Sequence, residues 1–309
     1  MKKQLFFCFV CLLTSVAWSQ QDVQYSQYMY NMSVINPAYT TDDLGVVKMG
    51  ILHRTQWVGV EGGPTSTNVF AHTSVGNNVE LGVSLVNDNI GDVLTENNIS
   101  GDFAYKLRLN QLSLLSFGLK VGLDIFDANF NGFELESGGQ STDDSFNENI
   151  NQTFFNVGFG FYYNTNRFYA GVSVPNFLKS KYLDDKSAEY RGAEEVHYYL
   201  TSGYVMDLNE NFKIKPSVLL KAVKGAPVVL DMNVNVMFND KFEFGLGYRF
   251  TDEIGAMASF RVLPELRIGY AYDYTNSNLN TFSSGSHEFC ILYDLDTLFN
   301  GYNKSPRFF

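Results

Sequence analysis

Residues 241–251 read KFEFGLGYRFT, and the way they alternate decides the fold. In an extended chain successive side chains point to opposite faces. Phe242, Phe244, Leu246, Tyr248 and Phe250 therefore share one side, and Glu243, Gly245, Gly247, Arg249 and Thr251 the other. One face is greasy and the opposite one is charged or bare.

The same pattern recurs from about residue 44 to 296. Leu266, Ile268, Tyr270, Tyr272 and Tyr274 alternate with Arg267, Gly269, Ala271 and Asp273, and Val228, Leu230, Met232, Val234, Val236 and Phe238 with Asp231, Asn233 and Asn235. Phe155, Val157, Phe159, Phe161 and Tyr163 alternate with Asn156, Gly158, Gly160 and Asn164. Strands of a soluble sandwich usually run about five or six residues. Many runs here are 9 to 13 residues long, the length that crosses a bilayer at a tilt. Tyrosines near strand ends suit an interfacial girdle, and glycine on the polar face suits a crowded interior.

Fourteen segments are expected to be strands: 44–54, 64–75, 78–89, 93–108, 111–126, 151–164, 167–174, 196–208, 211–223, 227–238, 241–251, 254–263, 265–275 and 286–296. An even number closes a bacterial barrel, whose periplasmic turns are short and whose external loops are long. With the first strand starting in the periplasm, the even connections are tight: Gly76-Asn77, Leu109-Asn110, Thr165-Asn166, Asn209-Glu210, Asn239-Asp240 and Pro264-Glu265. The long connections 127–150, 175–195 and 276–285 all fall on odd positions. The expected fold is all-β, a transmembrane barrel of about 14 antiparallel strands over 44–296, preceded by a plug or rim segment at 20–43 and followed by a tail at 297–309.

The chain opens MKKQLFFCFVCLLTSVAWSQ, two lysines, an apolar run from Leu5 to Leu13 and small residues at Ala17 and Ser19. This reads as a secretory signal over 1–19, cleaved after Ser19. Cys8 and Cys11 lie inside it without a lipobox, so the mature chain keeps only Cys290 and has no internal disulfide. Without Lys2 and Lys3, twenty basic residues face 33 acidic ones, a formal charge of −13. Such acidity argues against nucleic acid as a partner.

Chemistry-bearing patterns are sparse. His53, His72, His197 and His287 are scattered over different strands, and no metal-ligand spacing is present. Ser286, His287 and Glu288 adjoin, but neighbours on a strand face opposite ways and cannot form a triad. The GxG pairs at 158–160 and 245–247 lack the helix that a nucleotide fingerprint needs. No cofactor is implied. Glu134, Glu136, Asp143 and Asp144 sit in a Gly, Ser and Asn context that reads as a solvated external loop, without the EF-hand ladder of a calcium site. Lumen-facing Lys213, Lys215, Lys221, Asp231, Glu243, Arg249, Arg261, Arg267 and Asp273 mix both signs and are read as an interior ion-pair network, a selectivity ring being the alternative.

Four motifs carry a family resemblance. QDVQYSQYMYNMSVINPAYT at 21–40 resembles the mature amino terminus of the PorP/SprF family of the Bacteroidetes type IX secretion system, matching at Gln21, Asp22, Gln24, Ser26, Gln27, Tyr28, Met29, Asn31, Asn36, Pro37, Ala38 and Tyr39. Val23 and Met32 stand where that family has prolines. RTQWVGVEGGPTS at 54–66 is similar to its RxQWxGxxGxPxT through Arg54, Gln56, Trp57, Gly59, Gly63, Pro64 and Thr65, and GSHE at 285–288 and SPRFF at 305–309 to its closing motifs. The resemblance implies a non-enzymatic outer-membrane barrel that exports or anchors a cognate surface protein, often an adhesin used in gliding. It further implies that the barrel receives that cargo's carboxy-terminal domain and connects to peptidoglycan-linked periplasmic components. The composition of 21–40, rich in Gln, Asn and Tyr, suits it to fill a polar lumen or dock on the periplasmic rim, with Asn36-Pro37 turning the chain. Gln24, Tyr25, Gln27, Tyr28, Met29, Asn36, Pro37, Tyr39, Arg54, Gln56, Trp57 and Pro64 are therefore the candidates for plug or partner contacts. Trp57 is read either as a contact with cargo or barrel mouth, or as a girdle anchor. A diffusion porin or hydrophobic-solute channel produces the same alternation, and an outer-membrane lipase would need a serine and a histidine at one height.

Overall fold

The computed structural model describes residues 23–296 except 42, 92, 131–148, 179–180, 184–191, 194, 251 and 277–280. The expected signal peptide, the acidic loop carboxylates and the SPRFF motif lie outside the described residues. Fourteen long strands form one antiparallel sheet in which each pairs with its sequence neighbours. They are Val46–Thr55, Thr65–Val75, Val79–Ile90, Leu94–Arg108, Ser113–Ala128, Ile150–Thr165, Phe168–Val174, His197–Tyr204, Phe212–Val223, Val229–Phe238, Phe242–Arg249, Glu253–Arg261, Leu266–Thr275 and Ser286–Asp296. The first pairs with the last, from Val46 against Asp296 to Thr55 against His287, so the sheet closes into a barrel.

Boundaries depart from the sequence expectation where side chains compete with the ladder. Asn110 accepts the Leu112 N–H at 2.8 Å, which turns 109–112 out of the sheet and delays the fifth strand to Ser113. The eighth strand stops at Tyr204 instead of 208, where Val205 packs inward against Met237, and a two-residue piece, Met206–Asp207, resumes pairing with Ile214 and Lys213. A small hairpin, Lys181–Leu183 with Gly192–Ala193, lies in the long seventh connection.

Burial follows the alternation. On the eleventh strand Phe244 and Leu246 are 59% and 68% exposed, while Glu243 is 1%. Exposed Leu, Val, Ile and Phe side chains encircle the barrel, among them Leu85, Phe103, Leu119, Phe161, Val218, Phe260 and Ile291. A continuous apolar surface of this extent needs lipid as its solvent. No helix among the described residues is long and apolar enough to cross a membrane, and the crossing is made by strands.

The interior is filled by the segment before the first strand. Its backbone forms a 3-10 turn, Tyr28–Tyr30, and a single helical turn, Met32–Ile35, neither of which the sequence periodicity suggested. Asn36 ends the helical turn, and its side-chain oxygen accepts the Ala38 N–H at 2.9 Å, so the chain bends there. Tyr25, Tyr28, Met29, Tyr30, Met32, Ile35, Ala38 and Tyr39 pack with Leu52, Phe70, Tyr162, Tyr169 and Met257 of the wall into one apolar cluster inside the barrel.

Candidate functional site

The segment runs the length of the lumen. Near its start the backbone N–H groups of Ser26 and Gln27 donate to the two oxygens of Glu288 at 2.8 and 2.9 Å, close to where the descending fourteenth strand begins. Near its end the Thr41 N–H donates to Glu80 at 2.9 Å, on the rising third strand one residue past its first. With long loops external, Ser26 is at the outer mouth and Thr41 at the periplasmic end.

Between these points the wall bonds both the backbone and the side chains of the segment. Lys120 donates to the carbonyls of Ser33 and Val34 at 3.1 and 3.2 Å, and Ser173 to that of Ile35 at 2.7 Å. Lys106 donates to the Thr41 carbonyl at 3.1 Å. Asn36 donates to the Phe161 carbonyl at 3.0 Å. The turn itself rests on a bare patch of wall, where a Cβ added at Gly118 would overlap the Pro37 and Ala38 backbone and one added at Gly160 would overlap the Asn36 side chain. Only glycine lets the two backbones approach so closely.

Arg54, fully buried at the upper end of the first strand, is the hub of the outer mouth. Its guanidinium lies 2.5 Å from Asp273, 3.1 Å from Glu253 and 3.3 Å from Glu288, and donates to the Ser26 hydroxyl at 3.0 Å. Glu253 also meets Arg249 at 2.5 Å, and Arg249 grips Asp231 through two nitrogens at 2.8 and 3.2 Å. Six wall strands and the plug thus share one network of opposite charges. In a medium without free water such charges are tolerable only when paired and hydrogen-bonded.

The motifs far apart in sequence converge here. Val58 N–H donates to the Gly285 carbonyl at 2.8 Å, Ser284 N–H to the Val58 carbonyl at 2.7 Å, and Trp57 N–H to the Ser286 hydroxyl at 3.3 Å. The first external connection is therefore stapled to the last, and Arg54 joins both to the plug. The family described as type IX secretion system membrane protein PorP/SprF matches residues 17–293.

The chain belongs to the PorP/SprF family.

As a PorP/SprF protein it shares its barrel architecture with outer-membrane channels of known structure. The CymD monoaromatic hydrocarbon channel superposes with a TM-score of 0.53 at 10% identity, over 86% of this chain and 92% of the other. The P. putida toluene transporter TodX gives 0.50 at 8% identity, over 86% and 94%. No curated protein matches the sequence.

The remaining sequence candidates of this PorP/SprF chain are distributed as follows. Gln27, Tyr28, Met29, Asn36, Pro37 and Tyr39 are buried in the lumen, and Gln24 and Tyr25 line a cavity at the outer mouth. Gln56 N–H donates to the Pro64 carbonyl at 2.8 Å, closing the loop that carries half-buried Trp57, whose φ is 50°. Among the interior charges Asp231, Arg249 and Asp273 belong to the Arg54 network. Glu243 and Arg267 form a second pair at 2.6 Å lower in the lumen, with the Arg267 guanidinium 5.8 Å from the ring of Tyr30. Lys215 and Lys221 are buried on the ninth strand. Lys213 and Arg261 share the inward parity but stand at the periplasmic rim, Lys213 meeting Asp240 of a turn at 2.7 Å.

Sequence reading missed the role of Arg54 as an interior charge, read Glu288 only as part of the Ser286-His287-Glu288 run and the GSHE motif, and missed Glu253, Glu80, Lys106 and Lys120 altogether. Their inward parity was available: Lys48, Gly50, Leu52 and Arg54 alternate along one face of the first strand. Among the described residues no cluster of His, Cys, Asp and Glu is arranged to hold a metal.

Proposed function

We propose that this barrel is a plugged, non-enzymatic partner of type IX secretion, exported by a cleaved signal peptide, that binds and anchors a cognate cell-surface protein in the outer membrane. The observation that carries the reading is the segment 23–41, which fills the lumen and is held by wall carboxylates at both ends. A diffusion porin needs a continuous wet path, and a buried apolar cluster bonded to the wall along its length opposes one. The surface left for function is the two rims. The stapled 54–66 and 284–288 loops form the outer contact for the cargo's carboxy-terminal domain, and the tight periplasmic turns face peptidoglycan-linked components.

The test is single-channel recording in a planar bilayer, with the full mature chain and with residues 21–39 deleted. The full chain is expected to be nearly silent, and the deletion to insert normally and conduct while losing cargo retention in cells. A large steady conductance from the full chain would overturn the plug. The second reading, a channel for small hydrophobic solutes, is favoured by one observation, a largely apolar cavity of about 130 Å3 at the outer mouth. Solute uptake by vesicles containing the full chain would support it.

A further inference from the structure

The cavity at the outer mouth lies between the plug and the wall, and Tyr25, Tyr28, Ile35, Val86, Phe126 and Leu219 supply its apolar lining. Its volume of about 130 Å3 is close to that of an apolar protein cavity of about 150 Å3 that takes up benzene. A second feature distinguishes it from a simple greasy hole. Asp124, 1% exposed on the fifth strand, lines the same cavity.

The electrostatics of Asp124 differ from those of its neighbours. Asp231, Glu253, Asp273, Glu288, Glu243, Glu80 and Asp102 each have an Arg or Lys nitrogen within 4.0 Å. Asp124 instead accepts from two neutral amides, those of Asn98 and Asn156, the latter at 2.8 Å, and has no ion pair among the described residues. Two amides satisfy lone pairs but bring no opposite charge to this buried carboxylate. The cations lining the cavity do not serve it. Lys120 is engaged by Asp102 and two plug carbonyls, Arg249 by Asp231 and Glu253, and Lys221 stands four strands away on the ninth. Asp88 and Glu96 add two more carboxylates to the lining.

We propose that this cavity is a binding site for a protonated amine joined to a benzene-sized apolar group, with the ammonium on Asp124 and the ring against Tyr25, Tyr28 and Phe126. The amine supplies the counter-charge that the wall omits, and the tyrosine faces favour a nearby cation. A free aromatic amine and a phenylalanine side chain beside a lysine of an external polypeptide carry the same chemistry.

The experiment uses the full mature barrel in detergent, titrated calorimetrically with 2-phenylethylamine and with its neutral counterpart 2-phenylethanol. The amine is expected to bind about tenfold or more tightly than the alcohol. Asp124→Asn should erase that preference while leaving the alcohol unchanged, and Val86→Trp, which fills the cavity, should abolish both. Equal affinities in the native chain, or an amine preference that survives Asp124→Asn, would overturn the site. If Asp124→Asn does not insert, amine binding that survives Val86→Trp overturns it instead. Both source arms support the site: tighter binding of Phe-Lys amide assigns it to a polypeptide, tighter binding of the free amine to a small molecule. Because no cargo enters the measurement, its failure leaves the anchoring role standing, and a failure of anchoring leaves this site standing.

Discussion

The two sides of the lumen hold the plug differently: one by close backbone approach together with hydrogen bonds to its main chain, the other by a network of opposite charges. The wall of the fifth to seventh strands is bare at Gly118 and Gly160, and the Asn36–Ala38 turn lies flat against it with backbone nearly touching backbone. The wall formed by the first and the eleventh to fourteenth strands is crowded with Arg54, Arg249, Glu253, Asp273 and Glu288, of which Arg54, Asp273 and Glu288 reach the plug at Ser26 and Gln27. One side selects by shape and accepts no added atom. The other selects by charge and accepts no missing partner. A plug held in both ways is fixed in register along the lumen, since contacts at Gly118 fix its middle and the Glu288 clasp its start.

The contrast breaks most sharply at Arg54. Arg54→Met removes the cation shared by three buried carboxylates, and losing one partner of a buried pair costs about 3–5 kcal/mol. The expected result is a lower guanidinium midpoint for the detergent-folded barrel, together with intermittent conductance as the plug's outer end loosens. Gly118→Leu should break the other side. Overpacking costs about 1–3 kcal/mol, and here it displaces the Pro37–Ala38 turn, so the barrel should remain folded while residues of the plug become accessible to protease. If the two walls act independently, the double variant Arg54→Met with Gly118→Leu should show the sum of the single effects, and a coupling above about 0.5 kcal/mol in a double-mutant cycle would show that the plug transmits strain between them.

Ser26→Ala sharpens the comparison at smaller scale. It deletes one hydroxyl that bridges Arg54 and Asp273 at 3.0 and 2.5 Å, and a hydrogen bond to charged groups is worth about 1.5–3 kcal/mol. The charges themselves remain paired, so a loss toward the lower figure is expected in the same midpoint measurement. Arg167→Ala is the control at the periplasmic rim. Its partner Asp207 lies 2.6 Å away with both side chains about half exposed, and such pairs contribute roughly 0–1 kcal/mol. A shift as large as that of Ser26→Ala would mean that the rim, and not the lumen, governs stability.

Much of the barrel was legible because lipid imposes a simple rule on every strand. KFEFGLGYRFT announces its two faces without knowledge of its neighbours, and the tight even connections announce the up-and-down order. The interior was legible only in part. Asp231, Glu243, Arg249, Arg267 and Asp273 were found by parity, but which carboxylate meets which cation depends on strand stagger, which alternation does not encode. Arg54 was placed at the end of the first expected strand, 44–54, but was read through its motif as a plug or partner contact and so was left out of the interior charges. The helical turns of the plug were invisible since single turns have no periodicity.

The sequence by itself determined that the strands have one lipid face and one interior face, and that they number enough to close a cylinder. These are local properties: each strand satisfies its own solvent. Only the tertiary structure decided that segment 23–41 threads the lumen, that three separated motifs meet at Arg54, and that Asp124 is left without a counter-charge beside a cavity. Those outcomes rest on side chains brought within about 3 Å of each other from strands far apart in sequence, and the geometry of a closed barrel makes that choice.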